Sequence, residues 1–150
     1  MRLLCDHMLG SLARWLRFMG YDTAYPKAMS DTELIAKARE EDRILLTRDK
    51  ELAARLPSAI RIRSDELEEQ VREVAAVLPL RLVDPLSRCS LCNAVLEDVS
   101  SEEVRGIVPE GVQSRHKEFW HCPNCGRVYW QGSHWDRMVE RLNSLHLPAP

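Results

Sequence analysis

The sequence of 150 residues contains little that would mark a membrane protein, a secreted protein or a strongly basic protein. No apolar run approaches the roughly 20 residues that a membrane-spanning helix requires. The first residues lack the basic start and apolar core of a secretory signal. The formal net charge is only -2, so any binding to nucleic acid must use a local basic patch. We therefore expect a cytoplasmic protein without a membrane segment.

The sequence has five cysteines, and their spacing is informative. Four of the five cysteines form two C-x-x-C pairs, whereas Cys5 stands alone in an apolar stretch and is expected to be a small buried side chain. In a reducing compartment, paired C-x-x-C units indicate a metal site rather than disulfides. A redox dithiol would not account for two matched pairs. Zinc binds tetrahedrally to thiolates of this kind. We predict a closed structural Zn²⁺ site formed by Cys89, Cys92, Cys122 and Cys125.

The first 80 residues alternate short apolar runs with amphipathic segments of helical period. This order is typical of an α/β fold, here a doubly wound parallel sheet with right-handed crossovers and helices on both faces. The predicted strands lie at 2–5, 22–25, 43–47 and 59–63. The composition changes at Arg88. The predicted division is a first domain at 1–80, a linker at 81–87, and a zinc ribbon with a C-terminal helix at 88–150.

Three aspartates occupy equivalent positions in this predicted fold. Asp6 follows the first strand, Asp49 follows the third, and Asp31 begins the helix before the third strand. All three positions lie along the carboxyl edge, where open α/β sheets bind their ligands. A Mg²⁺ or Mn²⁺ ion would neutralise such a cluster, generate hydroxide from water and stabilise displacement at phosphorus. Singly, each acid has a structural alternative, because aspartate is also favoured at helix N-caps and in first turns.

Basic and aromatic side chains accompany these acids. Basic groups beside an acidic metal site would hold a phosphate backbone, although a solvated surface is the commoner position for any one of them. The predicted RNA-contacting residues are Arg14, Arg17, Arg48, Lys50 and His134. The aromatic side chains of the second half either stack on bases or form the small core of the ribbon. These residues are Trp120, Tyr129, Trp130 and Trp135.

Over nearly the whole chain, specific motifs resemble those of a known family. The motifs of the first half are Asp6-x-Met8-Leu9-Gly10-x-Leu12-Ala13-Arg14-Trp15-Leu16-Arg17-x-x-Gly20-Tyr21-Asp22-Thr23, Ser30-Asp31-x-Glu33-Leu34 and Arg43-Ile44-Leu45-Leu46-Thr47-Arg48-Asp49. The motifs of the second half are Arg88-Cys89-x-x-Cys92-Asn93 and Cys122-Pro123-x-Cys125-Gly126-Arg127-Val128-Tyr129-Trp130-x-Gly132-Ser133-His134-Trp135. Together they resemble the PIN-like ribonuclease family named for the carboxy-terminal domain of the Mut-seven exonuclease.

The resemblance implies a PIN-like α/β nuclease domain fused to a zinc ribbon. Nucleases of this kind cut RNA with acids around Mg²⁺ or Mn²⁺, and the acids of the family match Asp6, Asp31 and Asp49. PIN sites usually carry a fourth acid after a later strand, for which Asp65 is the nearby candidate. The resulting prediction is a metal-dependent ribonuclease whose ribbon helps to bind RNA.

Two other functions are compatible with the residues. A non-catalytic adaptor would bind RNA or protein through the ribbon and the basic helix face, with salt-sensitive binding and no turnover. A toxin-like nuclease would need an antitoxin partner, although PIN toxins are generally single-domain proteins.

Overall fold

The computed structural model describes residues 1–147 and contains a four-stranded parallel sheet in its first half. The strands are β1 (Arg2–Cys5), β2 (Asp22–Ala24), β3 (Ile44–Thr47) and β4 (Ile60–Arg61). They pair in the order β2-β1-β3-β4. Because β1 and β3 are neighbours at the centre, the residues that follow them lie side by side at the carboxyl edge of the sheet.

Four helices cover the two faces of this sheet. They are α1 (Gly10–Phe18), α2 (Asp31–Glu40), α3 (Lys50–Arg55) and α4 (Leu67–Ala75). Alternation along β1 sends Leu3 and Cys5 to one face, where they pack with α1 and α4, and Leu4 to the other face, where it packs with α2 and α3. The predicted mixed α/β architecture with a parallel sheet is therefore confirmed.

The turn after α1 depends on Gly20. Its φ is +104°, a conformation that side chains with a Cβ rarely adopt. A Cβ there would also lie 2.8 Å from the backbone nitrogen of Asp84. The glycine therefore ends α1, brings the chain back into β2, and lets the segment before the cysteines pass close by.

The second half forms a small antiparallel sheet with two helices. These elements are β5 (Glu97–Val99), α5 (Glu110–Arg115), β6 (Phe119–His121), β7 (Val128–Tyr129) and α6 (Ser133–Ser144). The strands pair in the order β5-β6-β7. One C-x-x-C turn precedes β5 and the other connects β6 to β7. None of the helices formed by residues 1–147 is long and apolar enough to cross a membrane.

The last helix, α6, packs back onto the parallel sheet. Leu142 and Leu145 are buried in the same apolar cluster as α1 and α4. The Arg141 guanidinium lies 4.7 Å from the centre of the Trp15 ring and pairs with Glu68 at 2.7 Å. The α6 helix thus holds the two cysteine turns and the small sheet β5–β7, together called the ribbon below, beside α1.

Candidate active site and zinc site

Asp6 lies directly after β1 and is only 2% exposed. Its Oδ1 accepts a hydrogen bond from the backbone nitrogen of Met8 at 2.9 Å. Its Oδ2 accepts from the backbone nitrogen of Arg48 at 3.1 Å and from the hydroxyl of Thr47. Leu9 occupies the N-cap of α1, and no side chain caps that helix. Asp6 is therefore not an N-cap. Its carboxylate connects the turn before α1 to the end of β3 through hydrogen bonds.

Thr47, the last residue of β3, links Asp6 to Asp49. Its hydroxyl donates to Asp6 and accepts from the backbone nitrogen of Asp49 at 3.0 Å. Asp49 is exposed and caps α3, because its Oδ1 accepts from the backbone nitrogens of Glu51 at 2.9 Å and Leu52 at 3.2 Å. The capping alternative is thus correct for Asp49, and its second oxygen makes no hydrogen bond within residues 1–147.

Asp31 is the first residue of α2 and half-buried. Ser30 occupies the N-cap position and forms the predicted capping box with Glu33, in which each backbone nitrogen donates to the other side chain at 3.2 Å. The Asp31 carboxylate is therefore not needed for the cap. Asp65 is exposed and follows β4 at the same edge of the sheet.

The acids share an edge of the sheet without forming a compact cluster. Across residues 1–147, Asp6, Asp31 and Asp49 do not form a group whose ligand atoms all lie within 4.8 Å of one another. Mg²⁺ binds oxygen at about 2.1 Å and usually keeps several waters. Coordination of one ion by all three acids would accordingly use bridging water or rotated side chains.

The four cysteines, in contrast, do meet in one cluster. Their Sγ atoms all lie within 4.8 Å of one another, with 3.7 Å between Cys89 and Cys125 and 3.4 Å between Cys92 and Cys122. A zinc tetrahedron with bonds of about 2.3 Å places its sulfur atoms about 3.8 Å apart. The cluster fits the predicted structural Zn²⁺ site.

Burial and hydrogen bonds shift the pKa of Cys5, Cys92 and Cys122. Burial raises the pKa of Cys122 to about 12. For Cys92, burial is outweighed by hydrogen bonds with Asn124 and with the backbone of Ala94, which lower its pKa to about 6. Burial also raises the pKa of Cys5 far above its usual range, and this thiol lies outside the cluster. Zinc binding releases the protons that the cluster still carries, since only thiolates bind the ion.

The first C-x-x-C turn is docked against the edge strand β2. Asn93, which follows the turn with a φ of +71°, donates to Asp22 Oδ1 at 2.8 Å and accepts from the backbone nitrogen of Thr23 at 3.0 Å. Although burial opposes ionisation, hydrogen bonds from Asn93 and Arg43 hold the pKa of Asp22 well below its usual range. The ribbon and the sheet therefore meet through specific polar contacts.

Arg17, predicted to contact RNA, lies between β2 and the first cysteine turn. It is 5% exposed, and burial lowers its pKa. Its guanidinium donates to the backbone oxygens of Thr23 at 2.8 Å, Ser90 at 3.2 Å and Leu91 at 3.1 Å. The position of Arg17 is therefore not that of an RNA contact, because its guanidinium holds the cysteine turn to β2 and is closed to a phosphate.

The other predicted RNA-contacting residues form two surface groups. Arg48 and Lys50 follow β3 on either side of Asp49, at the carboxyl edge of the sheet. Arg14 on α1 and His134 in the first turn of α6 are exposed and line one groove. One group thus lies beside the acids and the other lies between α1 and the ribbon.

The aromatic residues of the second half do not share one core. Trp120 and Tyr129 pack against the cysteine cluster. Trp130 packs with Phe119, with ring centres 6.3 Å apart. Trp135 instead packs against the apolar cluster of the parallel sheet. Three of the four thus pack within the ribbon, but all four are only half-buried, so packing in the ribbon does not exclude contact with bases.

Two residues that hold these sites together were not singled out from the sequence, namely Thr47 and Asn93. Thr47 is a hydroxyl residue at the last position of a buried strand, directly before an Arg-Asp pair. Asn93 directly follows C-x-x-C, and asparagine tolerates the left-handed backbone conformation. Both signals were present in the sequence, but their partners are distant along the chain.

Comparison with known proteins agrees with this arrangement. A family model described as Mut7-C RNAse domain matches residues 1–142. The matched region includes the parallel sheet, both cysteine turns and most of α6. No curated protein and no solved structure matches the chain. Because the family model covers nearly the whole sequence, this chain belongs to the Mut7-C RNAse domain family.

Proposed function

We propose that this chain is a metal-dependent ribonuclease that hydrolyses RNA phosphodiester bonds at a Mg²⁺ or Mn²⁺ site formed by Asp6, Asp31 and Asp49. The observation that carries the proposal is the position of these acids at one edge of the parallel sheet, after β1, after β3 and at the start of α2. Open α/β sheets bind their ligands at that edge. Membership of a ribonuclease-domain family supports the same chemistry.

The donor set suits a hard cation. Carboxylate oxygens are the ligands that Mg²⁺ and Mn²⁺ prefer, and each such oxygen has two lone pairs. Asp6 Oδ1 accepts one hydrogen bond, from Met8, and so keeps one lone pair for a cation. Asp49 uses one oxygen for the cap of α3 and has the other available. Waters kept by the ion would bridge the remaining distance.

A cation bound at these acids supplies an activated water and stabilises the charge that develops on the phosphate oxygens. Thr47 holds the carboxylate of Asp6 and the backbone of Asp49 in a fixed relation. Arg48 and Lys50 place positive charge at the same edge, where it would hold the RNA backbone. Asp65, after β4, is the proposed fourth acid.

We also propose that the first domain, 1–80, has the PIN-like fold. A linker at 81–87 joins it to the zinc ribbon at 88–150, whose last three residues lie outside the described structure. The ribbon helps to bind RNA, and α6 holds it beside α1. A reducing compartment such as the cytoplasm suits paired thiols that bind zinc.

The test is cleavage of a labelled RNA by the zinc-loaded protein, followed on gels with and without added Mg²⁺ or Mn²⁺. We expect cleavage only with added cation, and loss of cleavage in Asp31→Asn and Asp49→Asn. Asp6→Asn should behave in the same way, with thermal unfolding measured alongside because Asp6 also ties β1 to β3. Cation-independent cleavage, or full activity in Asp49→Asn, would contradict the proposal.

The matched control is Asp42→Asn. Asp42 is an exposed aspartate between α2 and β3, at the opposite end of the sheet from the three acids. Its substitution also removes one negative charge. We expect wild-type cleavage from this variant, which separates a site effect from a change in net charge.

A second candidate function is a non-catalytic adaptor that binds RNA or protein. The observation in its favour is that Asp6 and Asp49 are engaged in hydrogen bonds as a strand tie and a helix cap, outside any compact ligand group among residues 1–147. If RNA remains intact across a series of metals and pH values while saturable binding persists, the adaptor function replaces the ribonuclease function.

A further inference from the structure

A groove of about 690 Å³ separates α1 from the ribbon. Its wall on the sheet side includes Ser11, Arg14 and Trp15 of α1, and its ribbon wall includes Arg127 and Trp130. Residues of α6 also line the groove. The α1 helix begins just after the turn that contains Asp6, at the carboxyl edge of the sheet. Because Ser11, in the first turn of α1, lines the groove, one end of the groove lies on the same side of the domain as the proposed cleavage site.

The lining of the groove is strongly basic for this protein. It contains four arginines, namely Arg14, Arg88, Arg127 and Arg141, and no aspartate or glutamate. The whole chain has a net charge of -2. The groove is therefore the local positive patch that binding of a polyanion requires in a chain of this charge.

Two of these arginines are engaged and two are free. Arg141 pairs with Glu68 at 2.7 Å, and Arg88 lies 3.8 Å from Asp22. Arg14 and Arg127 are exposed, and neither makes an ion pair within residues 1–147. Their charge is therefore uncompensated, which favours an anionic occupant of the groove.

Aromatic rings also border the groove. Tyr129, Trp130 and Trp135 line the groove together with the arginines. A Cβ on Gly132 would lie 2.6 Å from Nε1 of Trp130, so the close approach of this indole depends on the glycine. Nε1 of Trp135 is a buried donor without an acceptor among the described residues. Flat rings beside arginines are the platform on which unpaired bases stack.

We propose that this groove, between α1 and the ribbon, binds unpaired nucleotides of RNA. The inference rests on the proposed ribonuclease function. Bases inside an A-form duplex are stacked on each other and closed to aromatic side chains, whereas splayed bases of a single strand are not. The combination of free arginines and aromatic rings therefore selects a flexible single strand over a helix or a purely acidic peptide.

The test measures binding separately from cleavage. The zinc-loaded full chain is titrated, without added Mg²⁺ or Mn²⁺, into a fluorescent 12-nucleotide RNA without self-complementarity and into the same strand annealed to its complement. Gels confirm that the RNA stays intact. Arg14→Ala and Arg127→Ala are compared with Arg39→Ala, an exposed arginine on α2 across the sheet from the groove.

We expect the single strand to bind at least about tenfold more tightly than the duplex. Arg14→Ala and Arg127→Ala should each weaken binding of the single strand about five- to tenfold, and should reduce the slope of log affinity against log salt by about 0.7. Arg39→Ala should match the wild type. A thiouridine placed in the RNA should form photocrosslinks to the peptide that contains Tyr129 and Trp130.

Equal binding of duplex and single strand would overturn the inference, as would unchanged affinity in both arginine variants. Displacement of the RNA by polyglutamate at a similar concentration of charge would also overturn it, because the groove would then recognise charge alone. The two proposals fail separately. Groove-dependent binding without cation-dependent cleavage contradicts only the ribonuclease function, whereas cleavage that the arginine variants leave unchanged contradicts only the groove.

Discussion

The side-chain amide of Asn93 donates a 2.8 Å hydrogen bond to the carboxylate of Asp22, and this bond joins the zinc-binding half of the chain to the edge of the parallel sheet. The same amide accepts from the backbone nitrogen of Thr23 at 3.0 Å. Because β2 is an edge strand, this backbone group has no partner strand of its own on that side. The first cysteine turn thus supplies a hydrogen-bond acceptor for the backbone at the edge of the sheet.

Removal of the Asn93 amide should destabilise the whole protein. In Asn93→Gly the left-handed backbone is still accommodated, so the loss is confined to the two hydrogen bonds of the side chain. We expect the free energy of unfolding to fall by about 1–3 kcal/mol, the usual cost when buried partners lose their hydrogen bonds. Urea unfolding of the zinc-loaded protein measures this change.

The control for this substitution is Asn143→Ala, at an exposed position on α6. Its free energy of unfolding should stay within about 0.5 kcal/mol of the wild type, as is usual for surface changes. If Asn93→Gly also left the free energy of unfolding unchanged, the cysteine turn would not be coupled to the sheet edge in solution.

The Asp22 carboxylate should make stability depend on pH in the acid range. Its pKa in the folded protein lies below the ordinary value of about 3.9. Its contribution to stability is therefore fully present above that value and is lost as the pH falls below it. The charged and polar groups that face Asp22 are Arg2, Arg43, Arg88 and Asn93.

Urea unfolding of the wild type and Asp22→Asn at pH 6 and at pH 3.5 tests this dependence. The cysteines lose zinc on acidification in both proteins, so only the difference between the two reports on Asp22. We expect the wild type to be the more stable protein at pH 6 and its advantage to shrink at pH 3.5. A constant difference across this range would show that Asp22 titrates normally.

Much of the fold was predictable because its signals are local. The strand at Arg2–Cys5 is a short apolar run, and α2 begins with a capping box whose two residues are three apart in sequence. Likewise, each C-x-x-C turn carries two zinc ligands within four residues. The family resemblance was confirmed over residues 1–142.

The parts that were not predictable depend on partners far along the chain. Arg17 lies off the apolar stripe of α1, and in an isolated helix such a position faces solvent. Here the turn containing Ser90 and Leu91, more than 70 residues away, covers it. The role of Asp6 similarly depends on Thr47, which only the pairing of β1 with β3 brings close.

Zinc should bind with a stoichiometry of one ion per chain, and its removal should affect both halves of the protein. Cys89 and Cys122 are fully buried in a cluster with few other apolar groups, so the ribbon relies on the metal. Since the first turn also holds β2, we expect chelation, or Cys92→Ser, to lower the melting temperature of the parallel sheet as well. Metal analysis and thermal unfolding followed by circular dichroism measure the two effects.

The fifth cysteine supplies the control for zinc content. Cys5→Ala removes a thiol that lies outside the cluster, and this variant should retain one zinc ion per chain even though it loses some core packing. Loss of zinc from Cys5→Ala, or retention of a full complement by Cys92→Ser, would contradict the assignment of the ligands.

Arg14 and Arg17 lie one turn apart on α1, and only the substitution of Arg17 should lower the free energy of unfolding. Arg17→Ala leaves the backbone oxygens of Thr23, Ser90 and Leu91 without their charged donor. We expect its free energy of unfolding to fall by roughly 2–4 kcal/mol. Arg14→Ala, at an exposed position, should stay within about 0.5 kcal/mol of the wild type. Urea unfolding of both variants, with zinc bound, gives the comparison.

The same pair separates a structural contact from an RNA contact. At a temperature where both variants are folded, Arg17→Ala should retain the wild-type dependence of RNA binding on salt, because its guanidinium is closed to phosphate. Arg14→Ala should show the weaker dependence, since it loses a phosphate contact in the groove. The reverse pattern, with a stable Arg17→Ala that has lost its RNA affinity, would place Arg17 on the RNA surface after all.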